Sequence, residues 1–100
     1  MAYQIKWTIP AKDSHENIAD YLIQEWSEKE VRNFINIVED KLQLIAIYPD
    51  LFPRTNKRRN IHKVVISKQV VLFYRKHKVK RIVELLVFLD TRRNPSKLKL

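Results

Sequence analysis

The residues of this chain best equipped for chemistry are cations. Arg54, Lys57, Arg58 and Arg59 fall within six positions, and Lys63 follows shortly after. That density suits a phosphate group or an acidic peptide. Arg75 closes the run Leu72-Phe73-Tyr74-Arg75, and Arg92-Arg93 stand just after Asp90. Groups able to move a proton are scattered: His62, His77, Tyr74 and Asp90. With no Cys and three dispersed His, no metal-ligand spacing exists. Neither a metal nor another cofactor is expected.

The formal charge of +9 is unevenly placed. Residues 1–50 hold five Lys/Arg against nine Asp/Glu, whereas residues 51–100 hold fifteen against two. Like charges confined to one half repel one another unless something uses them, which points to a polyanion or an acidic protein segment as partner. The plainer alternative is a solvated basic face. At 100 residues, 45% hydrophobic and 10% aromatic, the chain has globular composition and length for one domain, residues 1–100. No apolar run approaches the roughly 18 residues of a membrane span, and the start lacks the apolar core of a signal peptide, so a cytoplasmic protein is expected.

The elements that must position these residues read as follows. Positions 3–8 alternate Tyr3, Ile5 and Trp7 against polar neighbours, the period of a strand with one buried face. Ile18, Ala19, Leu22, Ile23 and Trp26 recur at helical steps, so a first helix ends near Trp26, which is assigned to the core with Trp7. Its start is open between Pro10 in a first turn and a later cap at Asp13 and Glu16. Ser27-Glu28-Lys29-Glu30 has the capping-box form, and apolar spacing from Val31 to Ala46 predicts a second helix that Pro49 stops. So short a connection makes the helices an antiparallel hairpin.

The stretch 50–60 reads as a polar linker. Three strands follow, 61–66, 70–75 and 79–89, separated by Ser67-Lys68-Gln69 and Lys76-His77-Lys78. The chain has no Gly, so Asn60, Lys68 and His77 are the residues expected to carry a positive φ in these turns. In the last strand Val83, Leu85, Val87 and Leu89 are expected on one face and Glu84, Leu86, Phe88 and Asp90 on the other. Phe73 is expected in the core, opposite Tyr74. The order β-α-α-β-β-β predicts an α+β domain: an N-terminal strand and an antiparallel helical hairpin packed on a mostly antiparallel sheet.

Four segments carry a resemblance to a known family: Ile18-Ala19-Asp20-Tyr21-Leu22 through Glu25-Trp26-Ser27, Tyr48-Pro49-Asp50-Leu51, Leu72-Phe73-Tyr74-Arg75, and Asp90-Thr91-Arg92-Arg93-Asn94-Pro95. In this order and spacing the chain resembles the RelE/ParE superfamily of bacterial type II toxin–antitoxin toxins, over roughly residues 3–95. The resemblance implies a plasmid- or chromosome-encoded growth inhibitor neutralised by a cognate antitoxin, an acidic segment that folds on the toxin.

Two mechanisms follow from that resemblance. RelE-like members cut messenger RNA on the ribosome, which needs a base for the 2′-hydroxyl, cations for the phosphate and an acid for the leaving oxygen. Here Arg75 matches the family's strand arginine, and Arg92 or Arg93 would clamp phosphate. Asp90 stands about where nuclease members carry His, and no Tyr follows Arg75. Tyr74, His62 and His77 are then the other proton-transfer candidates, with ordinary readings as a sheet residue, a strand-surface residue and a turn residue. ParE-like members bind DNA gyrase and need no such groups, which favours that branch here; a basic nucleic-acid or partner-binding module without toxicity is a third possibility. In each case Arg54, Lys57, Arg58, Arg59, Lys63, Arg75, Arg92 and Arg93 are the target- or phosphate-binding candidates.

Overall fold

The computed structural model describes residues 2–91. Their elements are β1 (Gln4–Trp7), α1 (Ile9–Glu25), α2 (Glu28–Ile47), β2 (Arg54–Asn56), β3 (Ile61–Val65), β4 (Val70–His77) and β5 (Ile82–Asp90). The five strands form one sheet in the order β1-β5-β4-β3-β2. β1 runs parallel to β5 and the other pairs are antiparallel, so the sheet is mixed.

Local chemistry sets the helix ends. The Thr8 hydroxyl accepts a hydrogen bond from the Ala11 amide at 3.2 Å and so caps α1, with Pro10 in the first turn where its missing N–H is not needed. Ser27 caps α2 the same way, accepting from the Glu30 amide at 3.3 Å. In α2 the buried residues Phe34, Val38, Leu42 and Ile45 repeat at helical steps and face the sheet. They meet Val64, Leu72, Tyr74, Val83, Leu85 and Phe88 in one core on the helix side of the sheet.

The structure corrects several expectations. The 50–60 linker contains β2, three residues paired with β3 through a register shift; so short and polar a strand leaves no periodicity to read. β4 runs on to His77, and the following turn occupies 78–81, so β5 begins at Ile82 rather than residue 79. Positive φ falls on Asn60 (55°) as expected, but on Arg81 (56°) instead of Lys68 or His77. The Arg81 guanidinium lies 4.5 Å from the Tyr3 ring centroid, a cation–π contact that helps hold this turn.

The faces of β5 also differ from simple alternation. Phe73 pairs with Val87 and Tyr74 with Leu85, leaving Leu86 as a bulge. The extra residue turns the strand over, so Val83 and Leu85 share the core face with Phe88 and Asp90. The Thr8 hydroxyl donates to the Leu85 carbonyl at 2.6 Å, and the Ser14 hydroxyl accepts from the Phe88 amide at 2.9 Å, so α1 covers the strand edge past the end of β1. Trp7 stacks on Phe88 within the core's margin. Trp26, expected in the core, is 63% exposed, because α1 ends there and leaves its indole beyond the sheet. Phe73 lies opposite Tyr74 and is only half-buried, since no helix covers that side.

Candidate functional site

The cations divide between two surfaces because neighbours along a strand point to opposite faces. On the helix side, where β2 and β3 meet the end of α2, a recess of about 550 Å³ is lined by Asp50, Phe52, Pro53, Arg54, Asn60, His62, Lys76 and Lys78. Asp50 takes a hydrogen bond from Lys76 Nζ at 2.6 Å, and that bond holds its carboxyl below the usual range. The Asn60 amide donates to the Lys76 carbonyl at 3.0 Å and fixes the turn on the other flank.

His62 forms the floor of this recess. It is 2% exposed, not the strand-surface residue expected, because it shares the core face with Tyr74, its β4 partner. The two rings stack 4.9 Å apart at 7°. Tyr74 donates to the Pro49 carbonyl at 2.9 Å. Burial and the negative Asp50 push its phenol well above the usual tyrosine range, so Tyr74 is no proton acceptor near neutral pH.

The other face of the sheet carries Lys63 on β3, opposite Phe73, and Arg75 on β4, opposite Glu84. Lys6 on β1 is paired with the same Glu84. His77 ends β4 rather than sitting in a turn, and its Nε2 lies 3.0 Å from Glu84 Oε1. Because the carboxylate only accepts, Nε2 carries the hydrogen and Nδ1 is left as the basic nitrogen. The Arg75 Nε is buried without a hydrogen-bond partner. Lys6, His77, Lys80, Ile82 and Glu84 line a shallow cleft of about 180 Å³, and Arg75 is the cross-strand partner of its Glu84. The bond between His77 and Glu84 escapes sequence reading because seven residues and a turn separate them; only the hairpin register aligns them.

The remaining candidates do not join these groups. Asp90 is buried and pairs with Val70, four residues along β4 from Tyr74, about 13 Å of strand away. Lys57, Arg58 and Arg59 are exposed in the β2–β3 turn. The Arg59 amide donates to the Asn56 side chain at 3.0 Å. Arg92 and Arg93 lie outside the described residues. Among the described residues no group of three His, Cys, Asp or Glu converges as a metal site, and no helix is long and apolar enough to cross a membrane.

A third feature is an apolar groove of about 240 Å³ lined by Ile18, Leu22, Trp26, Phe34 and Val70 with Glu30, Ser67 and Gln69. It opens where α1 passes into α2. Its one charged lining residue is acidic, so this groove and the basic surfaces are separate places.

The profile of the family described as the ParE toxin of type II toxin–antitoxin systems, parDE, matches residues 5–95. The chain belongs to the ParE toxin family. Among curated proteins none matches it. Solved structures share the ParE-like fold at low identity. A chain of the chromosomal ParDE toxin–antitoxin system of Pseudomonas aeruginosa superposes with a TM-score of 0.71 at 10% identity, covering 89% of this chain and 96% of that one. One from the RelBE2 toxin–antitoxin complex of Mycobacterium tuberculosis gives 0.63 at 13%, covering 90% and 99%. A mutant of the E. coli toxin RelE in its free state gives 0.64 at 13%, covering 95% and 90%.

Within this ParE-family chain the segments that carried the resemblance have physical roles. Tyr48-Pro49-Asp50 closes α2 and supplies both the acceptor for Tyr74 and the partner of Lys76. Leu72 and Tyr74 build the core, and Arg75 faces away from it.

Proposed function

We propose that this ParE-family chain is the toxin of a type II toxin–antitoxin module, that it arrests growth by binding DNA gyrase in the bacterial cytoplasm, and that a cognate antitoxin neutralises it. One observation carries the choice of target: three of the four proton-transfer candidates, Tyr74, His62 and Asp90, lie on the helix side or in the interior, and only His77 shares the open face with Lys63 and Arg75. A surface with cations but without those three groups fits binding better than phosphodiester cleavage. The P. aeruginosa ParDE similarity and the family match support the same branch. The antitoxin's apolar residues would fill the Trp26 groove, while its acidic residues meet the cations elsewhere. The test is a supercoiling assay with purified toxin and gyrase. Inhibition relieved by the antitoxin is the expected result; undisturbed supercoiling at a large excess of toxin sinks the reading.

A second reading has its own observation. The His77–Glu84 pair puts an oriented imidazole on the open face beside Arg75 and Lys6, the parts a ribosome-dependent messenger-RNA endonuclease needs: a base and cations for the phosphate. Primer extension on transcripts after induction separates the two, since only this reading produces discrete cuts.

A further inference from the structure

The recess on the helix side contains a polar atom that neither the fold nor the proposed toxin activity uses. The His62 Nδ1 lies 2.8 Å from the Phe52 carbonyl oxygen, which can only accept, so Nδ1 carries the hydrogen. In the neutral ring Nε2 is then an acceptor. It is buried and has no hydrogen-bond partner, and a buried polar group left unpaired costs about 1–3 kcal/mol. Its neighbour on the recess side is Asp50 Oδ1 at 3.9 Å, beyond hydrogen-bond range and itself an acceptor.

Around that atom the recess is positive. Asp50 is the one carboxylate among its lining residues, and Lys76 already matches its charge. Arg54 and Lys78, both exposed on the rim, make no ion pair among the described residues. A ligand that satisfies every group must bring negative oxygens for Arg54 and Lys78 together with one hydroxyl for Nε2.

We propose that this recess binds a phosphate monoester, with Arg54 and Lys78 on its anionic oxygens and its remaining P–OH donating to His62 Nε2. A monoester has a second pKa of about 6 and so retains a P–OH in part of its population near neutral pH. Sulfate, a carboxylate and an internal phosphodiester are ionised without a hydroxyl and leave Nε2 unsatisfied. The site therefore selects a terminal phosphate over the backbone of a nucleic acid. It stands apart from the open face and does not depend on which target the toxin has.

The test uses the ¹⁵N-labelled full chain at pH 6.5, reading the His62 ring nitrogens in long-range ¹H–¹⁵N spectra. Inorganic phosphate should shift the Nε2 signal, while sulfate at matched ionic strength should not; equal shifts from both, or none from phosphate, overturn the proposal. The double variant Arg54→Ala/Lys78→Ala changes only exposed side chains and should weaken phosphate binding at least tenfold with the melting temperature unchanged. Unchanged affinity overturns it as well. A 5′-phosphorylated trinucleotide that binds more tightly than inorganic phosphate supports the site and assigns it to polynucleotide ends, and equal binding supports it as a site for free phosphate. An unphosphorylated trinucleotide that shifts Nε2 as strongly refutes the terminal-phosphate requirement.

Discussion

The Tyr74 hydroxyl donates to the carbonyl oxygen of Pro49 at 2.9 Å, joining the centre of the sheet to the residue that ends α2. Both residues are buried. The bond settles how the chain leaves the helix and enters the β2 connection, and it therefore places Asp50 against Lys76 and His62. A single buried hydroxyl thus shapes one wall of the basic recess.

Tyr74→Phe keeps the ring and its stacking on His62 but strands the Pro49 carbonyl. A loss of about 1–3 kcal/mol in unfolding free energy is expected, measured by urea denaturation. Toxicity per folded molecule should be unchanged, because the hydroxyl does no chemistry. Abolished toxicity with unchanged stability would contradict this structural role.

Trp26 should behave oppositely. With the indole 63% exposed, Trp26→Ala should alter the stability of the free toxin by less than about 1 kcal/mol. If the groove it lines receives the antitoxin, the same change should weaken the complex at least tenfold, as loss of a large aromatic contact typically does. Isothermal titration with the antitoxin measures this, and unchanged affinity would move the interface elsewhere.

These two residues also show how far the sequence can be read. Tyr74 sits in a run of apolar and β-branched residues whose period is plain, as are the caps at Ser27 and the stop at Pro49, so the helices and four of the five strands are legible. Trp26 continues the apolar stripe of α1 and looks like core, but burial depends on where the sheet ends, which a helical period does not encode. The faces of β5 are misread for a similar reason: the Leu86 bulge is a property of pairing with β4, not of the strand's own pattern. The basic half is visible as composition, yet its division into a recess with His62 and an open face with Arg75 needs the register. The bond between His77 and Glu84 needs it too.

His15 gives a pH dependence. It packs against Trp7, Phe34 and Phe88 at 5.0–5.3 Å between ring centroids, and burial lowers its pKa below the usual 6.5 despite the opposing pull of Glu39 and Glu16. The unfolded chain therefore binds the proton more readily than the folded one, and stability rises with pH across this interval. The contribution is complete above about 6.5 and is lost as pH falls toward the lower folded-state value. His15→Phe should flatten the fall in melting temperature between pH 7.5 and 5 relative to the parent. An unchanged slope would assign the effect to other groups.

The open face supplies the sharpest division between the two targets. If the chain acts by binding gyrase, His77→Gln should leave growth arrest within about threefold of the parent, since the imidazole is not asked to move a proton. Arg75→Ala should weaken arrest by tenfold or more through lost contact with the target, typical of a single charged contact at a protein interface. If the chain cleaves messenger RNA, the His77 change must also remove activity, because general-base catalysis contributes about 10²–10⁴-fold. Glu84→Ala would then lower activity too, by removing the acceptor that holds Nε2–H and the ring in place. The His77 and Glu84 variants are read together by growth after induction and by primer extension. Arrest that survives His77→Gln without transcript cuts supports the binding mechanism. Discrete cuts that vanish with either variant would show that the 3.0 Å pair of His77 and Glu84 is catalytic and that the target is RNA.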